Sequence, residues 1–170
     1  MGLLKRLFGG KPDTDTARTA TPDAGQDAGR TIRYDPGLVD GLKDDHQELV
    51  AMYTALGERV AAGDFHGVDA ALQEFKIRLE AHLLTENVRF YVYVEQSMAE
   101  DEVNYELIRG FRKEMNSIAR AVVEFVRRYR QQPVGPATQA QFIREHGEVG
   151  RLLAQRIARE ESELYVLYQP

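Results

Sequence analysis

AHLLTENVRFYVYVEQ, residues 81–96, is the stretch that decides the fold, because its pattern predicts the second half of a long amphipathic helix. Residues recurring at steps of three or four share one face of this helix: Phe75, Leu79, His82, Glu86 and Phe90. That face is apolar except for His82 and Glu86, and a buried imidazole or carboxylate is costly unless it is paired, neutralised or bound. A histidine and a carboxylate four residues apart can also supply two ligands to one metal ion.

Composition narrows the class of protein before any motif is considered. A chain of 170 residues with 43% hydrophobic content predicts one domain plus a tail. The net charge of -5 argues against nucleic-acid binding, which needs a basic face. The absence of cysteine excludes disulfides, thiolate metal sites and thiol nucleophiles. With no membrane-spanning apolar run and no signal-peptide pattern, we expect a cytoplasmic protein.

The chain divides into a tail, residues 1–33, and a helical domain, residues 34–170. Residues 1–10, MGLLKRLFGG, place leucines and a phenylalanine opposite Lys5 and Arg6, which fits either a weak membrane-surface anchor or a frayed terminus. Residues 11–33 have almost no large apolar side chains, and we expect them to be disordered.

The domain shows four helical patterns separated by short breaks. We expect helices at residues 36–62, 64–98, 101–132 and 137–168. The breaks are the Gly63-Asp64 pair, the acidic MAEDE and the PVGP at 133–136. Long helices with short connections predict an all-α fold, an antiparallel up-down-up-down four-helix bundle.

The polar residues on the inner helix faces fall at one level of this bundle. In an antiparallel hairpin, residues symmetric about the turn lie side by side, and His46 and His82 are symmetric about residue 64. Extending this rule around the bundle predicts one layer: His46, His82, Met115 and Arg156. One turn further along the second and fourth helices lie three carboxylates: Glu86, Glu160 and Glu161.

Three short motifs resemble those of hemerythrin-like, or HHE cation-binding, domains: DDHQELV (44–50), HLLTE (82–86) and REESELY (159–165). The resemblance covers about residues 34–168. It implies a four-helix bundle around a non-haem di-iron centre, in proteins that bind oxygen, store iron, or sense iron or redox state in bacteria. It also implies these metal ligands: His46, His82, Glu86, and Glu161 with Glu160 beside it.

Two departures from the family pattern change what the site can hold. Met115 stands where the third helix is expected to bring a histidine, and Arg156 stands where the fourth helix is expected to bring one. The chain has four histidines in all, and His66 and His146 lie away from the layer, so a five-histidine di-iron centre is excluded.

Arg156 leaves two alternatives open, because an arginine keeps its charge. Either it turns inward and pairs with Glu86 or Glu160, which gives a metal-free core. Or it turns out to solvent and leaves His46, His82 and the carboxylates to hold one iron or zinc ion.

The corresponding functions are a non-enzymatic binding or sensing protein with a degenerate metal site, and a metal-free regulatory module acting through protein contacts. We expect no enzyme activity, since no nucleophile triad or phosphate loop appears and the Glu-x-x-His spacing of ferritin-like sites is absent. The aromatic runs FYVYVE (90–95) and ELYVLY (163–168) predict either a thick end of the core or a surface for a protein partner.

Overall fold

A computed structural model describes residues 32–170 of the chain as a bundle of four helices. The first helix, α1, is Leu38–Ala61. The second, α2, comprises Val68–Thr85, a π-helical turn Glu86–Phe90, and Tyr91–Ser97. The third, α3, is Glu102–Gln131. The fourth, α4, comprises Gln139–Arg159, a π-helical turn Glu160–Leu164 and the 3₁₀ turn Tyr165–Leu167.

Each helix packs against two neighbours, in the cyclic order α1, α2, α3, α4. Consecutive helices joined by short connections run antiparallel, and no strand occurs within residues 32–170. The predicted fold class is therefore confirmed. The anchor expected at residues 1–10 and the disorder expected from residue 11 to residue 31 lie outside the described part of the chain. Within that part, no helix is both long and apolar enough to cross a bilayer.

The connection between α1 and α2 is longer than the sequence predicted. Gly63 and Gly67 both adopt positive φ, at 76° and 72°, and the carboxylate of Asp64 accepts a hydrogen bond from the backbone N–H of His66. Glycine adopts this left-handed conformation readily, and the two glycines form a turn where continuous helix was expected. The expectation that the second helix begins at residue 64 was wrong, since it begins at Val68.

The core consists of two apolar clusters with a polar layer between them. On α1, Leu42 belongs to one cluster and Leu49 to the other, and His46 lies between them. On α2, Leu79 and Phe90 belong to the two clusters in the same way. The residues between the clusters are the buried polar ones: His46, His82, Glu86, Arg156 and Glu160. Apolar packing on both sides thus seals the polar layer from water.

The aromatic runs form part of this core. Tyr91, Tyr93, Tyr165 and Tyr168 are at most 5% exposed, and all belong to the cluster that also contains Leu38. The first of the two alternatives for these runs, a thick end of the core, is therefore correct for these four tyrosines. They are not available as an exposed surface.

Candidate metal centre

Four ligand-type side chains from three helices meet in the polar layer. They are His46 of α1, His82 and Glu86 of α2, and Glu160 of α4, each at most 2% exposed. One nitrogen or oxygen atom from each lies within 4.8 Å of the others. The two imidazole rings are 4.7 Å apart between centroids. The prediction that His46 and His82 lie at one level is confirmed, and the two glutamates expected one turn further along bring a donor atom close to both.

Both glutamates open a π-helical turn. The backbone N–H of Tyr91 bonds to the carbonyl of Glu86, and that of Tyr165 bonds to the carbonyl of Glu160, each five residues apart. A π turn adds a residue to the helix and so changes the direction in which the next side chains point, and such turns are frequent at functional sites. In this protein they occur on two helices at the same level, directly after the two interior carboxylates, and redirect the side chains that follow.

His46 lies between the two neighbouring glutamates of α4. Its Nε2 atom is 3.3 Å from Glu160 Oε2 in the interior, and its Nδ1 atom is 2.8 Å from Glu161 Oε1 at the outer edge. Glu160 is fully buried, whereas the side chain of Glu161 is 38% exposed. Of these two candidate ligands, Glu160 faces the other donor atoms and Glu161 orients His46 from outside.

His82 has the same orientation on the other side of the layer. Its Nε2 atom is 3.7 Å from Glu86 Oε2, and its Nδ1 atom is 3.5 Å from Asp45 Oδ2, whose side chain is also 38% exposed. Neither ring nitrogen forms a hydrogen bond with any residue of the described range. Both histidines therefore turn Nε2 inward and Nδ1 toward a carboxylate at the rim, the arrangement that orients metal-binding histidines.

Arg156 turns inward, so the alternative in which it reaches solvent was wrong. It is 3% exposed, and it donates one hydrogen bond to the backbone carbonyl of Met115, at 2.7 Å, and another to Glu86 Oε2. The same terminal nitrogen lies 2.6 Å from Glu160 Oε1. The guanidinium thus bridges the two interior carboxylates. Met115 contributes its backbone oxygen to this contact, and its side chain belongs to the apolar core.

Tyr165 is a member of the layer that the sequence did not reveal. Its hydroxyl donates to Glu86 Oε1 at 2.8 Å and lies 3.3 Å from His46 Nε2, and its ring stacks on that of His46. Asp45 was also missed as a partner of His82, although it directly precedes His46 in the DDHQELV motif. Tyr165 lies five residues after Glu160 and points inward because of the π turn, so α-helical spacing gave no signal for it.

Burial and charge set the protonation of the site. Burial raises the pKa of Glu86 to about 7, with a further rise from Glu160 that Arg156 and the Tyr165 hydrogen bond partly offset. Burial, His46 and Arg156 lower the pKa of His82 to about 3. Burial alone would lower the pKa of His46, but the nearby carboxylates of Glu160 and Glu161 leave that pKa raised. His82 is therefore neutral near pH 7, the form in which an imidazole binds a metal.

Residues 37–168 match the family model described as the hemerythrin HHE cation binding domain. The chain belongs to the hemerythrin HHE family. No curated protein and no solved structure gives a significant match. The family match spans nearly the whole described bundle and includes all four residues of the cluster.

The donor set fits one cation of this family's kind. Two imidazole nitrogens and two carboxylates suit ferrous iron or zinc. The ring nitrogens of His82 and both oxygens of Glu160 lack hydrogen-bond geometry to any described residue, although Arg156 and His46 lie at ion-pair distance from Glu160. Buried polar atoms in that state are rare in proteins, and a cation would satisfy them.

A surface cleft gives the layer a nearby approach from solvent. It lies between α1 and α4, has a volume of about 350 Å³, and reaches two residues of the layer, His46 and Glu161. Its other walls are formed by Gln47, Val50, Ala51 and Ile157. Since the inner ligands are buried, this cleft is the place at which the smallest side-chain movement, that of Glu161, would open the site.

Proposed function

We propose that this hemerythrin-family protein is a non-enzymatic binding or sensing protein of the bacterial type that takes a divalent cation, iron or zinc, in its polar layer. The ligands are His46, His82, Glu86 and Glu160. The observation that carries the proposal is the state of His82, whose two ring nitrogens are buried without a hydrogen bond beside three other ligand-type groups. A histidine that served only the packing of the core would have a partner.

Binding is favoured over catalysis because the layer is sealed. The four ligands are at most 2% exposed, and the apolar clusters lie directly above and below them. A bound iron or zinc ion would supply a charged centre with Lewis-acid character, and iron would add sensitivity to redox state. The chain's own contribution is to hold and orient the ligands: Glu161 is hydrogen-bonded to His46, Tyr165 donates to Glu86, and Asp45 lies 3.5 Å from His82 Nδ1.

The second candidate is a metal-free regulatory module that acts through protein contacts. It is favoured by one observation, the inward position of Arg156, which already compensates the charge of Glu86 and Glu160. This alternative leaves the unsatisfied nitrogens of His82 without an explanation, and for that reason it comes second.

Metal analysis of the untagged protein separates the two candidates. The chain is stripped with chelator and titrated with Zn²⁺, and with Fe²⁺ in the absence of oxygen, while bound metal is measured by mass spectrometry and calorimetry. We expect saturable binding in the wild type. His82→Gln should weaken it by about tenfold or more, whereas His66→Gln, at an exposed histidine in the α1–α2 turn, should not change it. Absence of saturable binding to the wild type would favour the metal-free module.

We also propose that the protein is cytoplasmic and makes weak contact with a membrane surface through residues 1–10. The expected behaviour is binding to anionic vesicles that is lost as salt is added. The comparison is between the full chain and a chain beginning at Tyr34, measured by vesicle sedimentation. Equal sedimentation of the two chains would exclude the anchor.

A further inference from the structure

The guanidinium of Arg156 contacts both interior carboxylates, and each of these carboxylates also lies near the Nε2 atom of one histidine. Its terminal nitrogens contact Glu86, Glu160 and the backbone oxygen of Met115. The Nε2 atoms of His46 and His82 approach the same two carboxylates, each within 3.7 Å of one of their oxygens. Glu160 presents one oxygen to Arg156 and the other to His46, whereas the Glu86 oxygen that pairs with Arg156 is also the one that lies 3.7 Å from His82.

We infer that Arg156 acts as a built-in cation in this site, so that the chain binds a single metal ion where the two carboxylates would otherwise serve two. This inference rests on the proposed function and specifies its stoichiometry. The supporting observation is that the guanidinium of Arg156 bridges Glu86 and Glu160.

The charges in the layer limit it to one added divalent ion. When both are ionised, Glu86 and Glu160 bring two negative charges, and Arg156 brings one positive charge that it cannot lose. One divalent ion at the histidines therefore already exceeds the negative charge of the buried carboxylates. A second ion would add two more positive charges within contact distance of the guanidinium, in a layer where solvent cannot screen the repulsion.

Arg156 is also held in place, so a second ion cannot readily displace it. The bond from its other terminal nitrogen to the Met115 carbonyl fixes the guanidinium plane against α3. Its side chain is 4% exposed and it forms ion pairs with carboxylates on two different helices. Moving it out would leave both carboxylates, and the Met115 oxygen, without this partner.

The test is the number of zinc ions bound per chain, measured by native mass spectrometry and calorimetry with zinc in excess. We expect one ion in the wild type and one in Arg156→Lys, which keeps the positive charge. We expect two in Arg156→His, which removes the fixed charge and adds a ligand. Arg159→His introduces the same side chain three residues further on, at a partly exposed arginine that pairs with Glu114 and Glu163, and should bind one.

The outcomes separate this inference from the function on which it rests. Binding of neither zinc nor ferrous iron to the wild type would refute the proposed function itself. Two ions in the wild type or in Arg156→Lys would leave that function standing and overturn the role of Arg156. A folded Arg156→His variant that binds one ion would also overturn the role inferred for Arg156. Circular dichroism shows whether Arg156→His is folded, and if it is not, the counts for the wild type and Arg156→Lys decide.

Discussion

Arg156→Ala is the substitution expected to damage the metal-free protein most. It removes the positive charge that lies against Glu86 and Glu160, both fully buried, and it leaves the Met115 carbonyl without its side-chain donor. Breaking a buried ion pair by deleting one partner costs about 3–5 kcal/mol. We therefore expect a loss of that size in the free energy of unfolding near pH 8, with a fall in Tm of roughly 10 °C or more.

The loss should depend on pH in a definite direction. The pKa of Glu86 is about 7 in the folded wild type, raised by burial and by Glu160, and Arg156 holds it down. A carboxyl group whose pKa is raised on folding loses stability as pH rises from its unfolded value through its folded value. Without Arg156 that pKa rises further and the loss extends to higher pH. The difference between wild type and mutant should therefore grow above pH 7.

Urea unfolding followed by circular dichroism, with chelator present and at several pH values, measures this difference. Arg159→Ala is the matched control, since Arg159 pairs with Glu114 and Glu163 at the surface and its loss should cost no more than about 1 kcal/mol. A loss below about 1 kcal/mol for Arg156→Ala at pH 8, or one that does not change with pH, would refute the reasoning.

Three further substitutions test the packing around the half-buried His146, the hydrogen bond from Tyr165 to Glu86, and the titration of His146. Gly57→Ala should destabilise by about 1–2 kcal/mol in chemical unfolding, because the added Cβ would overlap the imidazole of His146, whereas Gly110→Ala, where nothing lies within 4 Å, should stabilise the chain slightly. Tyr165→Phe should cost about 1.5–3 kcal/mol and raise the pKa of Glu86, seen in the infrared carboxyl band, because it removes the bond to that carboxylate. Burial lowers the pKa of His146, so folded-state stability should fall as pH drops below about 6.5, and His146→Gln should flatten that part of the stability profile.

The sequence was sufficient to predict the bundle and the level of the site. Helical spacing of the apolar residues defines four inner faces, and the symmetry of antiparallel hairpins places His46, His82, Met115 and Arg156 side by side. Helical spacing and hairpin symmetry hold over the whole length of a helix and do not depend on the exact geometry of each turn. Contacts among these four residues bear out the layer, since the histidine rings are adjacent and Arg156 reaches the Met115 carbonyl.

The choice between Glu160 and Glu161 depends on local backbone geometry that spacing does not encode. Neighbouring residues on an α-helix differ by about 100° in direction, and a π turn beginning at Glu160 shifts the directions that follow. The same turn brings Tyr165 onto His46. For the same kind of reason the start of α2 was misplaced, since the positive φ of Gly67 extends the turn beyond what Gly63-Asp64 indicated.

Because Arg156 compensates the buried carboxylates, we expect the bundle to fold without the proposed cation. Sites that depend on their metal for folding leave their ligands repelling one another when the metal is absent. In this layer the guanidinium already lies between the two buried carboxylates, and Tyr165 and Glu161 occupy further donor positions. The apo bundle should therefore fold, and a cation present at 100 times its Kd would add only about 2.7 kcal/mol to stability. A protein that is folded both with and without its ligand can respond reversibly to the ligand's concentration, and the proposed sensing role requires that property.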